Sequence, residues 1–151
     1  MPKRWLRGTR TLDPGEWAPR SGKPRVVVEN PDGFELWGYA EALRSAGYEV
    51  ATCCGPESDE GTRSACPLLE SGHCSLIDGA DVVVSTSSLP EIRSILAVLG
   101  SRRLPRVVFE APAPAFDRYR AAAGDALFLA CPVMEETLCA SVAEALSPTT
   151  T

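Results

Sequence analysis

The sequence predicts one α/β domain, a doubly wound parallel sheet of five strands in the order 2-1-3-4-5. Three observations lead there. Short β-branched runs alternate with segments of helical period along most of the chain. Those runs are apolar at successive positions, as in strands covered on both faces. Five such strand–helix units in 151 residues suit an open sheet better than a closed barrel.

The units follow in order. "RVVVEN" (25–30) is the first strand. "FELWGYAEALRSAG" (34–47) is a helix with Leu36, Trp37, Ala40 and Leu43 on its apolar stripe and Gly47 as its stop. "YEVATCC" (48–54) is the second strand and "ADVVVST" (80–86) the third. In "SLPEIRSILAVLG" (88–100), Ser88 and Glu91 form a capping box ahead of the stripe Ile92, Ile95, Leu96 and Leu99. "RVVFEAP" (106–112) is the fourth strand, "PAFDRYRAAAG" (114–124) a helix and "ALFLACPV" (126–133) the fifth strand. The last helix, about 134–146, places Met134, Leu138, Val142 and Ala145 on one face.

The domain is therefore expected over 25–146, after a basic, flexible tail (1–24) and before a short disordered one (147–151). Lys3, Arg4, Arg7, Arg10, Arg20 and Lys23 against Asp13 and Glu16 give residues 1–24 a charge of +4. The whole chain carries −5, so the rest carries −9. An acidic body does not suit nucleic acid, which leaves the tail as the one segment able to meet an anionic partner. No apolar run approaches the ~18–20 residues that cross a bilayer. "MPKRWLRGTR" has charge but no apolar segment behind it, so it is not a secretory signal. A cytoplasmic protein with reduced thiols is expected.

In such a sheet, ligands collect at the carboxyl ends of the strands near the switch point between strands 1 and 3. No Gly-rich turn follows strand 1, so a dinucleotide fingerprint and a P-loop are both absent. The single histidine, His73, lies far from any Ser or Cys elbow, so no hydrolytic triad assembles. The "STSS" run at 85–88 offers hydroxyls, which Ser88 as a helix cap explains more simply.

"VVVENPDGFELWGYAEALRSAGYEV" resembles the opening of a response-regulator receiver domain, and "ACPVMEETLCASVAEAL" resembles its ending. The resemblance implies a flavodoxin-like fold over about 25–146. It also implies a pocket in which a strand-3 aspartate takes a phosphoryl group beside a magnesium-holding acidic pair, a strand-5 lysine and a strand-4 hydroxyl. Here Glu29, Asn30 and Asp32 fall in the acidic region, and Thr86, or Ser85 beside it, stands where the aspartate belongs. Ala111 takes the hydroxyl position and Cys131 the lysine position. A hydroxyl forms no labile acyl phosphate, and without the lysine no fixed cation meets the phosphoryl oxygens. The resemblance thus implies a degenerate, non-enzymatic signalling module. It would dock a protein partner or a second copy through the face of the 114–124 helix, strand 5 and the last helix.

One segment adds something that a receiver lacks. "CCGPESDEGTRSACPLLESGHC" (53–74) holds four of six cysteines and the only histidine. It connects strands 2 and 3 by a long, turn-rich path where one helix would serve, with Pro67 starting a piece of about two turns. Adjacent strand residues point to opposite faces, so Cys53 and Cys54 do not ligate together. The set Cys54, Cys66, His73 and Cys74 has the donor chemistry of a zinc site, though CC-x11-C-x6-HC contains no C-x2-C knuckle. Cys74 lies so close to strand 3 that it is expected nearer the amino edge than Cys54. Three readings stay open here: zinc or an iron–sulfur cluster, reversible thiol chemistry, and cysteines filling gaps. A metal- or redox-responsive protein is the second functional expectation. An enzyme or small-molecule binder acting at Glu29 and Thr86 is the third.

Overall fold

Three successive valines are buried together only in a strand with neighbours on both sides and cover on both faces. Val26, Val27 and Val28 are 0–1% exposed and lie in β1 (Arg25–Glu29), an interior strand of this kind. The computed structural model describes residues 17–30, 32–53, 66–85, 106–111, 126–130 and 132–147, with backbone alone for 106–111. The expected helices over 88–100 and 114–124 lie outside the described residues, as do 1–16 and 148–151.

Five strands form one parallel sheet: β1, β2 (Glu49–Cys53), β3 (Val82–Ser85), β4 (Arg106–Ala111) and β5 (Leu127–Ala130). Their order is β2-β1-β3-β4-β5, as the sequence predicts. The register aligns Arg25 with Glu49 at the amino edge, and Glu29 with both Cys53 and Ser85 at the carboxyl edge.

Strand alternation divides the sheet into two faces. On one, Val26, Val28, Val50, Val82 and Val84 pack against α1 (Gly33–Ser45) and α4 (Glu135–Leu146). Helix α1 contributes Leu36, Ala40 and Leu43, and α4 contributes Leu138, Val142 and Ala145. Asp32 caps α1, its Oδ1 accepting from the amides of Phe34 (2.9 Å) and Glu35 (3.3 Å). A Schellman motif ends α1: the amides of Gly47 (φ +98°) and Tyr48 return to the carbonyls of Arg44 and Leu43.

Two residues assigned to these stripes face solvent instead. Trp37 is 63% exposed, because one step along a helix turns about 100° and carries it off the stripe that Leu36, Ala40 and Leu43 define. Met134 is 66% exposed, since it is the extended cap residue before α4 and does not share the helix's phase. Cys139 fills space between α1 and α4, its Sγ 3.8 Å from the Ala42 carbonyl. Burial, and then the charge of Glu135, push its pKa up, which favours the inert thiol.

The other face carries the β2–β3 connection. Residues 66–79 form two short helices, α2 (Pro67–Ser71) and α3 (Ser75–Asp78), where the sequence suggested a single piece. Pro67 starts α2, and Gly72 in the left-handed region (φ +78°) ends it, its amide bonding to Leu68 O at 2.9 Å. Leu68, Leu76 and Ile77 are buried beneath.

The chain joins the domain before Arg25, within the segment assigned to the tail. Trp17 donates its indole N–H to Leu76 O (2.9 Å) and packs so closely on Gly79 that a Cβ there would lie 2.7 Å from the ring. Arg25, 7% exposed, lies 5.0 Å from the Trp17 ring centre, pairs with Glu49 at 3.3 Å and donates to Ala18 O. Asp81 accepts from the Arg25 amide (2.8 Å) and holds Arg20 in a two-pronged ion pair at 3.3 and 3.4 Å. Burial works against the Asp81 carboxylate, but the Arg25 amide and both arginine charges outweigh it and pull its pKa below the ordinary 3.8.

Leu43→Ala is expected to lower unfolding stability by ~2–5 kcal/mol in denaturant titration, whereas Trp37→Ala stays within about 0.5 kcal/mol. Asp81→Ala is expected to cost about 1 kcal/mol at neutral pH, chiefly from the Arg25 amide, because the exposed Arg20 pair adds little. A carboxylate held below its unfolded pKa stabilises fully above that ordinary value and loses the contribution as pH falls through the folded one. Melting curves of wild type and Asp81→Ala should therefore stay apart from pH 7 to 5 and converge below about pH 4.

Candidate functional site

At the carboxyl edge, β1 ends on a charged residue in a place already closed to water. Glu29 is 6% exposed, and Ser85, 1% exposed, donates its hydroxyl to Glu29 Oε2 at 2.5 Å. That is the short, charge-assisted geometry expected of a hydroxyl on a carboxylate. The β1–β3 register makes the contact, since Glu29 and Ser85 are cross-strand partners with side chains on the same face.

The next polar residues are committed locally. Asn30, 2% exposed, donates its side-chain amide to Glu35 Oε2 (3.0 Å), accepts the Asp32 amide at Oδ1 (2.8 Å) and donates its own amide to Cys53 O (3.0 Å). Asp32 spends an oxygen on the α1 cap. A receiver's divalent cation needs several carboxylate oxygens converging on open coordination positions. Of the oxygens at this edge, Glu29 Oε2 accepts from Ser85, Asn30 Oδ1 accepts from the Asp32 amide and Asp32 Oδ1 caps α1.

Of the remaining pocket residues, Ala111 is the last residue of β4 and pairs with Ala130. Thr86 and Cys131 lie outside the described residues. Ser85 is therefore the described residue that ends β3 beside Glu29, one position before Thr86.

Glu29 and Ser85 also border a cavity of about 50 Å³ between the sheet and the α2–α3 cover, room for a few water-sized groups. Its walls are apolar, and Cys53, Cys66 and Cys74 open onto it. Two sequence expectations change at this point. Cys53, set aside in favour of Cys54, is a wall of the cavity, because a strand's alternation puts it on the face of Val27 and Val83. Cys74 reaches the same cavity although β3 starts only at Val82, since α3 descends to the amino edge between them.

His73 does not join the thiols. It is among the more exposed residues here, 73% at the side chain, and its Nδ1 is 3.9 Å from Asp78 Oδ2. Cys54 lies outside the described residues. Among the described residues no three His, Cys, Asp or Glu side chains are placed to hold a metal ion together. The proposed zinc set is therefore not assembled by the residues that can be seen. None of Cys53, Cys66, Cys74 and Cys139 is in a disulfide.

Sequence reasoning missed the Ser85–Glu29 bond and the place of Cys53. Both were available from parity: residues two apart in a strand share a face, and the register of adjacent strands decides which of them meet. Ser85→Ala is expected to destabilise the protein by ~1–3 kcal/mol in urea titration, as a buried carboxylate loses its hydroxyl donor.

No family model matches the sequence, and no curated protein does. Solved structures do. A response-regulator receiver domain protein from Clostridium thermocellum superposes with a TM-score of 0.57 at 17% identity, over 82% of this chain and 94% of that one. The chemotaxis protein CheY4 of Vibrio cholerae gives 0.57 at 16%, over 83% and 100%. A CheY-like receiver domain protein of Methanospirillum hungatei gives 0.58 at 16%, over 83% and 94%. Among the described residues no helix is long and apolar enough to cross a membrane. The sheet order, the paired helices on one face and these superpositions together give the chain the flavodoxin-like fold of response-regulator receiver domains.

Proposed function

We propose that the chain is a receiver-like signalling module that has given up phosphoryl transfer and acts by docking a protein. The observation that carries this reading is the buried Ser85–Glu29 bond. In the receiver plan the phosphoryl acceptor follows directly after this position, beside a metal held at the end of β1. Here a hydroxyl and a carboxylate engage each other away from water, so one oxygen of Glu29 is committed to Ser85 and not to a metal.

The docking face is that of the 114–124 helix, which lies outside the described residues, β5, an edge strand, and α4. Support comes from exposure: Leu127, Phe128 and Leu129 are half-buried, and Ala130 and Met134 are exposed. Edge strands with accessible apolar residues are common protein contacts. The partner is a protein with a complementary apolar patch or a second copy of the chain.

Two measurements test the reading. Incubation with acetyl phosphate and Mg²⁺ should leave the intact mass unchanged, and a hydroxylamine-labile phosphoryl adduct would defeat it. Ala130→Arg should keep the far-UV circular dichroism of the wild type while abolishing partner capture or self-association. Unchanged association would move the interface elsewhere.

A further inference from the structure

Three thiols on one small cavity are more than a gap-filling requirement, because one apolar side chain would fill the same space. Two of them have a particular setting. Cys66 and Cys74 are the extended cap residues of α2 and α3, and neither side chain makes the capping hydrogen bond that Ser, Thr, Asn or Asp would supply there. Both are half-exposed, and between them Gly72 at φ +78° reverses the chain. A disulfide needs Cα atoms about 4.4–6.8 Å apart, so the bond requires the two one-turn helices to bring Cys66 and Cys74 into that range over the cavity they share. Cys53 is constrained differently. Its backbone is held in register with Glu29, and its carbonyl accepts the Asn30 amide at 3.0 Å.

We propose that Cys66 and Cys74 form a reversible disulfide over this cavity, made by exchange with small-molecule disulfides and undone by dithiols. In the forward direction the thiolate of one cysteine attacks a sulfur of the small disulfide. A protein–small-molecule S–S bond forms, the original S–S bond breaks, and one small thiolate leaves. The second cysteine's thiolate then attacks the protein sulfur of that mixed disulfide, closing Cys66–Cys74 and expelling the second small thiolate. The two protons of the protein thiols end on the two released thiols. Two protein thiols are oxidised and one small disulfide is reduced, so electrons balance. The property to measure is the position of this equilibrium. The bond would lock the α2–α3 cover over the Ser85–Glu29 pair and make the carboxyl edge redox-responsive, independently of any docking partner.

The test equilibrates the full chain in buffers of increasing glutathione disulfide to glutathione ratio, followed by acid quench, alkylation and digestion without reductant. The expected result is a Cys66–Cys74 linked peptide that grows with the ratio, loss of two of the six alkylatable thiols, and full recovery in dithiothreitol. Cys66→Ser and Cys74→Ser should each abolish the link, and Cys139→Ser should leave it in place. Should a serine variant fail to fold, peptide mapping of the wild type decides alone. A link through Cys53, glutathione adducts without a protein disulfide, or equal yield of the link in guanidinium chloride would each overturn the proposal.

Discussion

Everything in this fold is arranged around a strand that is buried from end to end and charged at both ends. All five residues of β1 are buried, and two of them are Arg25 and Glu29. An unpaired buried charge costs several kcal/mol, so each end has to be met by partners held in place. Glu49, the Ala18 carbonyl and the Trp17 ring meet the arginine. Ser85 meets the glutamate.

The two solutions have different consequences. At the amino edge, satisfying Arg25 recruits Trp17, and with it the chain ahead of the sheet, which then closes over Gly79 and α3. At the carboxyl edge, satisfying Glu29 draws in Ser85, the last residue of β3. The same demand thus ties the preceding chain to the sheet at one end and two neighbouring strands together at the other. Between the two lies the α2–α3 cover, anchored below by Trp17 and lined above by thiols. A change in that cover bears on both ends of β1 at once.

Likeness of fold and difference of chemistry coexist because they rest on separate residues. The superposition with receivers depends on where valines and leucines sit, which tolerates wide substitution provided volume and pattern are kept. Phosphoryl transfer depends on a few oxygen and nitrogen atoms placed to a fraction of an ångström. A chain 16–17% identical to receivers can keep the first, and its chemistry has to be read from its own residues.

The sheet, its order and the inner faces of α1 and α4 were legible in the sequence, because burial on both faces leaves runs such as "VVV" and stripes of period 3.6 that need no partner to be read. Trp37 and Met134 misled because apolar character alone does not fix phase: one lies 100° off the stripe and the other precedes the helix. The composition of the first 24 residues suggested a tail, but Trp17 lies on Gly79 and Arg20 pairs with Asp81, which joins the described part of that segment to the domain. The cysteines are the clearest division. Sequence supplied their number, their spacing and the need to explain a long connection. Which of them share a space was decided only when β2, α2 and α3 were laid over one another. Cys53, Cys66 and Cys74 converge there while His73 turns outward, since neighbours in a cavity are set by strand parity and chain reversals and not by distance along the chain.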